Sequence, residues 1–105
     1  MKIWLDDERQ APDDTYAHFV KAEDLLDFIS NALSGDLSSV AEIDLDHDLG
    51  NGMNGYEFLN AIIRMTIDGR ISGVHKPKWQ IHTANPVGRF NMERAIRELT
   101  ALKPS

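Results

Sequence analysis

The sequence contains no cysteine. This excludes disulfide bridges, thiolate metal sites and cysteine nucleophiles, so any chemistry must come from carboxylates, histidines and backbone groups. The absence also fits a reducing compartment. The chain lacks a hydrophobic run close to the roughly 20 residues that cross a bilayer, and its first apolar segment leads directly into acids instead of a signal-peptide cleavage site. We therefore expect a cytoplasmic protein with no membrane association.

Basic residues are also scarce. Eleven lysines and arginines stand against 17 acids, which gives a formal net charge of −6. This charge repels nucleic acid overall, and small basic groups such as Lys76 with Lys78 are interpreted as solvated surface. We expect no polynucleotide partner. The 105 residues, 42% of them hydrophobic, fit one domain spanning 1–105, because single cores usually occupy roughly 100 to 150 residues.

The hydrophobic pattern predicts an α/β protein. Short apolar segments indicate strands at 2–5, 16–20, 41–45 and 79–82. Three- and four-residue spacing indicates a helix from Ala22 to Gly35, a second from the cap Asn54 to Asp68, and a third from the cap Asn85 to Pro104. Strands that alternate with helices predict a mainly parallel sheet. Only about ten residues separate the first two strands, so we do not expect a full crossover helix between them.

Acidic residues follow two of these strands. Asp6 and Asp7 come after the first, and Asp46 comes after the third. Because ligands of parallel sheets lie beyond the carboxyl ends of the strands, we expect these side chains to converge. Carboxylates held together repel one another unless a cation compensates, which predicts a Mg²⁺ or Mn²⁺ site. The alternative is that Asp6 and Asp7 cap a turn and Asp46 is a solvated strand end.

Two histidines accompany the acids. His47 follows Asp46 directly, and His82 ends the fourth strand. A histidine beside carboxylates can act as a general acid or base near neutral pH, and Asp48 would orient it or complete the metal shell. The alternative is a hydrogen-bonded structural histidine. The other two histidines, at positions 18 and 75, lack such neighbours.

Groups suited to anions complete the predicted site. Arg9 either neutralises the acid pair or holds a phosphate bidentately, and both interpretations are retained. Asn85 caps a helix whose backbone donors would face an anion. The predicted substrate-binding residues are Arg9, Thr83, Asn85, Gly88 and Arg89. The rings of Trp4 and Trp79 are interpreted as core.

Three blocks of sequence carry a family resemblance: LDDER at 5–9 with Pro12, LDHDLG at 45–50 and HTANPVG at 82–88. Together they resemble the cyclic-phosphate processing receiver-like domains, and NGYEFL at 54–59 is similar to response-regulator receivers. The resemblance implies a compact, flavodoxin-like three-layer sandwich with a mainly parallel sheet of about four strands, reduced relative to ordinary receivers. It also matches Asp6 and Asp7 to the receiver's acidic metal pair and Asp46 to its phosphoacceptor.

These observations favour metal-dependent hydrolysis of a cyclic phosphate or cyclic nucleotide, with a small phosphorylated or cyclic-nucleotide ligand as the partner. The alternative is a non-enzymatic receiver-like module that binds a nucleotide or a protein. A phosphoacceptor domain is a third interpretation. Ordinary receivers complete their site with a lysine after a fifth strand, and no lysine of this sequence occupies an equivalent position, which argues against phosphorelay.

Overall fold

Four strands and three helices follow one another in the computed structural model, which describes residues 1–103. The strands are β1 (Lys2–Leu5), β2 (Tyr16–Phe19), β3 (Glu42–Leu45) and β4 (Lys78–Ile81). The helices are α1 (Ala22–Asn31), α2 (Gly55–Ile67) and α3 (Pro86–Thr100). The predicted α/β class is therefore confirmed.

All strand pairs are parallel, and the sheet order is β2-β1-β3-β4. Lys2 of β1 pairs with Tyr16 on one side and with Glu42 on the other. The segment 6–15 joins β1 to β2 without a helix, as the short spacing predicted. This order places the carboxyl end of β3 between the carboxyl ends of β1 and β4.

Side chains alternate between the two faces of the sheet. Ile3, Leu5, Ile43 and Leu45 are fully buried and belong to one apolar cluster with the buried residues of the helices. The intervening residues of β1 and β3 are Lys2, Trp4, Glu42 and Asp44, and they lie on the opposite face. The sheet therefore has one apolar face and one face that carries polar groups.

The three helices cover the apolar face. The crossovers β2-α1-β3 and β3-α2-β4 run in the same direction across the sheet, and right-handed connections then place both helices on one side. Helix α2 packs against both α1 and α3. The four-strand parallel sheet confirms a reduced receiver-like fold, and the reduction goes further than the predicted three-layer sandwich because no helix of residues 1–103 covers the polar face.

The helix ends follow local sequence signals. Asn54 forms the predicted capping box with Glu57, and Asn85 caps α3 with Pro86 in its first turn. Helix α1 ends earlier than predicted, because Ser34 and Gly35 adopt positive φ angles of 52° and 76° and turn the chain away. The predicted stop at Pro104 lies outside the described residues. Within them, no helix combines the length and the apolar character needed to cross a bilayer.

Candidate active site

Asp6 is fully buried at the carboxyl end of β1. Its Oδ1 atom accepts hydrogen bonds from the amides of Glu8 at 2.8 Å and Arg9 at 2.9 Å. This oxygen caps the turn after β1, which is one of the two roles that the sequence suggested. The other oxygen, Oδ2, lies 3.0 Å from Nε2 of His82 and 3.2 Å from Nε of Arg9. Asp6 thus serves the local turn and a long-range cluster at once.

The surroundings of Asp6 favour its charged form. Burial raises the pKa of the carboxyl, but the amide hydrogen bonds from Arg9 and Glu8, together with the hydrogen bond and charge of His82, lower it. The net pKa lies below the ordinary value of 3.8. Asp6 therefore presents an ionised oxygen to the cluster at neutral pH.

Arg9 bridges Asp6 to Asp46. Its Nη2 atom lies 3.7 Å from Oδ2 of Asp46, and the same nitrogen donates to the backbone carbonyl of His82 at 3.3 Å. Asp46 is 7% exposed, and its Oδ1 atom accepts a hydrogen bond from the amide of His47 at 2.7 Å. Of the two interpretations of Arg9, neutralisation of the acids is the arrangement observed. The Arg9 side chain is nevertheless 56% exposed.

His82 lies between two carboxylates. Its Nδ1 atom is 2.6 Å from Oδ1 of Asp44, and Nε2 faces Asp6. The imidazole stacks on the indole of Trp4, with ring centroids 3.7 Å apart and planes 4° apart. Trp4 is buried as expected, but its ring packs in this cluster and its Nε1 donates to the carbonyl of Arg9 at 3.0 Å. It is therefore a site residue as well as a buried one.

Asp44 was not among the predicted site residues. The prediction of 41–45 as a short apolar strand gave no role to this acid. The signal was present, since β3 and the next residue read EIDLD, and alternate residues of a strand share a face. Glu42, Asp44 and Asp46 therefore point to the polar face together, and the middle one reaches His82.

His47 faces a different space from His82. Its ring packs against the first turn of α3, where a Cβ atom on Gly88 would lie 2.5 Å from the ring. The Nδ1 atom of His47 is 2.9 Å from Oδ1 of the exposed Asp48. The strand alternation explains this separation, because His47 has the parity of the core-facing Leu45. The structure thus brings His82, and not His47, to the buried acids.

The remaining predicted metal ligand, Asp7, lies on the loop after β1. A Cβ atom on Gly50 would be 3.2 Å from its Oδ2 atom, so Asp7 faces the loop that follows β3. The side chains of Asp6, Asp46 and His82 can each offer one ligand atom, and these three atoms lie within 4.8 Å of one another. The third side chain of the converging set is therefore His82, whereas the sequence suggested Asp7.

The predicted substrate-binding residues beyond β4 shape the start of α3. Thr83 Oγ1 accepts from the amide of Asn85 at 3.2 Å, and Asn85 Oδ1 accepts from the amide of Gly88 at 2.9 Å. Arg89 donates to the carbonyl of Ile81 at 3.2 Å. These contacts hold the end of β4, and with it His82, against the helix.

The other two histidines do not join the carboxylates. His75 Nε2 is 3.2 Å from the carbonyl of Thr100, far along the chain from the acids. His18 Nε2 lies 2.8 Å from the backbone carbonyl of Asp6. His18 lies on β2, which pairs with β1. It therefore contacts the backbone of Asp6 and not the carboxylates of the cluster.

The donor set of Asp6, Asp46 and His82 fits a divalent cation. It contains two buried carboxylate oxygens and one imidazole nitrogen, whose ligand atoms converge. Magnesium prefers oxygen ligands, whereas an imidazole suits transition metals. Of the two predicted ions, Mn²⁺ is the transition metal and accepts an imidazole ligand more readily than Mg²⁺ does.

Comparison with known proteins identifies one family. The model of the cyclic-phosphate processing receiver domain matches residues 1–98. No curated protein and no solved structure matches the chain significantly. The family match covers the sheet, helices α1 and α2, and all but the end of α3, and it includes every side chain of the cluster described above.

Proposed function

We propose that this chain, which belongs to the cyclic-phosphate processing receiver domain family, hydrolyses a cyclic phosphate at the cluster of Asp6, Asp46 and His82. The observation that carries the proposal is the convergence of these side chains from three strand ends to within 4.8 Å. Two of the three are carboxylates with little solvent exposure. Buried groups of this kind are suited to binding a cation and, through it, a phosphate.

Asp6, Asp46 and Nε2 of His82 would hold the divalent cation. When bound there, the cation supplies an activated water and stabilises negative charge on the phosphate. The lowered pKa of Asp6 keeps that ligand ionised at neutral pH. The turn amides of Glu8 and Arg9 hold its second oxygen, so the carboxylate is oriented before any ligand arrives.

Arg9 would bind the substrate. Its side chain is 56% exposed and its guanidinium already spans the acids, so a cation at the carboxylates would leave it available for the phosphoryl oxygens. In the reaction, the oxygen of one water forms a new bond to phosphorus and one ester P–O bond of the ring breaks. One proton of the water goes to the released oxygen, which becomes a hydroxyl group, and the product is a phosphomonoester.

A second candidate function is binding without chemistry. The observation that favours it is the contact of Arg9 with both Asp6 and Asp46, because a guanidinium that neutralises the two carboxylates makes a cation unnecessary. The domain would then bind a nucleotide or a protein partner as a receiver-like module. A phosphoacceptor role has less support, since in residues 1–103 the ion-pair partners of Asp46 do not include a lysine.

The test is a turnover assay with cyclic mono- and dinucleotides, each with Mn²⁺, with Mg²⁺ and with a chelator. Product formation is followed by ³¹P NMR. We expect cation-dependent ring opening that falls at least 100-fold in Asp46→Asn. The control, Asp27→Asn, makes the same charge change on the exposed face of α1 and should retain activity.

The outcomes separate the two functions. Absence of turnover across the panel overturns the enzymatic proposal. Calorimetric binding of an intact nucleotide that persists in Asp46→Asn favours the binding module instead. A stable beryllofluoride adduct that requires Asp46 would favour the phosphoacceptor interpretation over both.

A further inference from the structure

We infer that Asp44 is a positioning residue for His82. Its carboxylate orients the imidazole so that Nε2 faces Asp6 and Asp46. The inference deepens the proposed function and rests on it, because it assigns Nε2 to the reactive side of the ring. Its structural part concerns only the orientation of the ring. That part can be tested without a cation or a substrate.

The contact between Asp44 and His82 is the shortest that the imidazole makes. Oδ1 of Asp44 lies 2.6 Å from Nδ1, and both side chains are 15% exposed. A carboxylate is an acceptor, so the bond requires a proton on Nδ1. With Nδ1 committed to Asp44, a cation would replace only the proton through which Nε2 donates to Asp6. That nitrogen lies 3.0 Å from Asp6, on the side where the ligand atoms converge.

The ring is constrained in two independent ways. Stacking on Trp4 fixes its plane, since the two rings are 4° from parallel. Stacking alone permits a half-turn of the ring about the Cβ–Cγ bond. This rotation keeps the plane of the ring and exchanges the positions of its nitrogen and carbon atoms. The half-turn would break the contact of Nδ1 with Asp44 at 2.6 Å and that of Nε2 with Asp6 at 3.0 Å, and the shorter contact is the one to Asp44.

The support for His82 comes from the sheet itself. Trp4 and Asp44 are register partners in β1 and β3, and His82 directly follows β4, which pairs with β3. Three adjacent strands therefore supply the ring, its platform and its acceptor. A contact built on strands holds its geometry more closely than one built on loops, and a carboxylate behind a ligating histidine typically strengthens metal affinity.

The chain offers a matched control. Glu42 lies two residues before Asp44 on the same face of β3, and its carboxylate accepts a hydrogen bond from Tyr16 at 2.6 Å. Asp44→Ala and Glu42→Ala each remove one hydrogen-bonded carboxylate from that face. Only the first removes a contact of His82. Any effect of general destabilisation or lost negative charge should appear in both variants.

The first experiment observes the histidine rings by long-range ¹H–¹⁵N NMR without added cation. We expect wild type and Glu42→Ala to show a protonated, strongly hydrogen-bonded Nδ1 on His82 and ring protons shifted by the indole. Asp44→Ala should lose the Nδ1 proton signal and part of the ring-current shift while its backbone spectrum stays folded. An unchanged His82 ring in Asp44→Ala overturns the inference. If that variant does not fold, Asp44→Asn should weaken the Nδ1 signal, and an unchanged signal there overturns it equally.

The second experiment measures Mn²⁺ affinity by calorimetry. We expect Asp44→Ala to bind Mn²⁺ about 10- to 100-fold more weakly than wild type, and Glu42→Ala to bind as wild type does. Equal affinity in all three proteins contradicts a positioning role toward the cation. If wild type binds no Mn²⁺, the cation in the proposed function is wrong, and the NMR result still decides whether Asp44 orients the ring.

Discussion

The indole of Trp4 lies flat against the imidazole of His82, although 78 positions separate the two residues, with ring centroids 3.7 Å apart. Trp4 also holds the loop after β1, because its Nε1 atom donates to the carbonyl of Arg9. One side chain thus supports both the histidine and the segment that carries Arg9.

Replacing Trp4 by Phe should keep an aromatic platform and remove the indole donor. We expect a loss of about 1 kcal/mol in the free energy of unfolding, because the carbonyl of Arg9 loses its partner, and a shift of the His82 ring signals. Trp79→Phe is the matched control, since Trp79 donates in the same way to the carbonyl of Val74. Urea unfolding and NMR measure the two effects. Equal shifts of the His82 ring signals in both variants would contradict the role of Trp4 as the support of His82.

Replacing Arg9 by Ala should remove the cationic side chain that Asp6 and Asp46 share. We expect a loss of about 1–2 kcal/mol at low salt, less than for a fully buried pair because Arg9 is half exposed. Added Mn²⁺ should then raise the melting temperature of the variant more than that of wild type. The control is Arg70→Ala, which removes an exposed ion pair to Asp68 and should change stability by less than about 0.5 kcal/mol. A variant as stable as wild type at low salt, with no added response to Mn²⁺, counts against the role of Arg9.

Tyr16 should ionise at unusually high pH. Its hydroxyl donates to Glu42 at 2.6 Å, and this hydrogen bond, with smaller effects from desolvation and nearby acids, raises its pKa to about 12. The pKa in the folded state exceeds the unfolded value of 10.0, so this contribution to stability is complete below pH 10.0 and is lost as pH rises through about 12. Ultraviolet titration should show the late transition in wild type and its absence in Tyr16→Phe. Glu42→Gln should move it to lower pH, and a transition that stays in place would refute the assigned cause.

Replacing Gly88 by Ala should displace His47 and spare His82. The new Cβ would lie 2.5 Å from the His47 ring, so either the ring or the start of α3 must move. We expect a loss of about 1–3 kcal/mol from overpacking, together with NMR shifts for His47 that exceed those for His82. Gly69→Ala is a useful comparison, because a Cβ there meets no atom within 4 Å and adds only the cost of its positive φ angle. Comparable shifts of both histidines in Gly88→Ala would show that the two rings share one environment.

Much of the secondary structure could be predicted because its signals are local. The cap of α2 joins Asn54 to Glu57, and the cap of α3 joins Asn85 to Gly88, so each bond closes within three residues. The strand ends that carry Asp6, Asp46 and His82 were located in the same way. The predicted end of α1 is wrong, because the positive φ angle of Ser34 has no clear sequence signature.

The pairing of polar groups was predicted only in part. The alternation in EIDLD is enough to separate Asp44 and Asp46 from His47, since parity along a strand decides the face. The partner of Asp44 does not follow from that alternation. His82 is 38 residues further along the chain, and nothing local specifies which strand will lie beside β3.

By itself, the sequence determined the elements, their caps, the polar residues at the strand ends and the family to which they point. Only the tertiary structure decided the order β2-β1-β3-β4, which sets Asp6 beside Asp46 and brings His82 and Arg9 to both. It also placed all three helices on the apolar face of the sheet. On the polar face it stacked the ring of Trp4 against His82. The physical reason is range: propensity and capping act over a few residues, whereas the choice of neighbouring strand depends on how the whole apolar face of the sheet is buried.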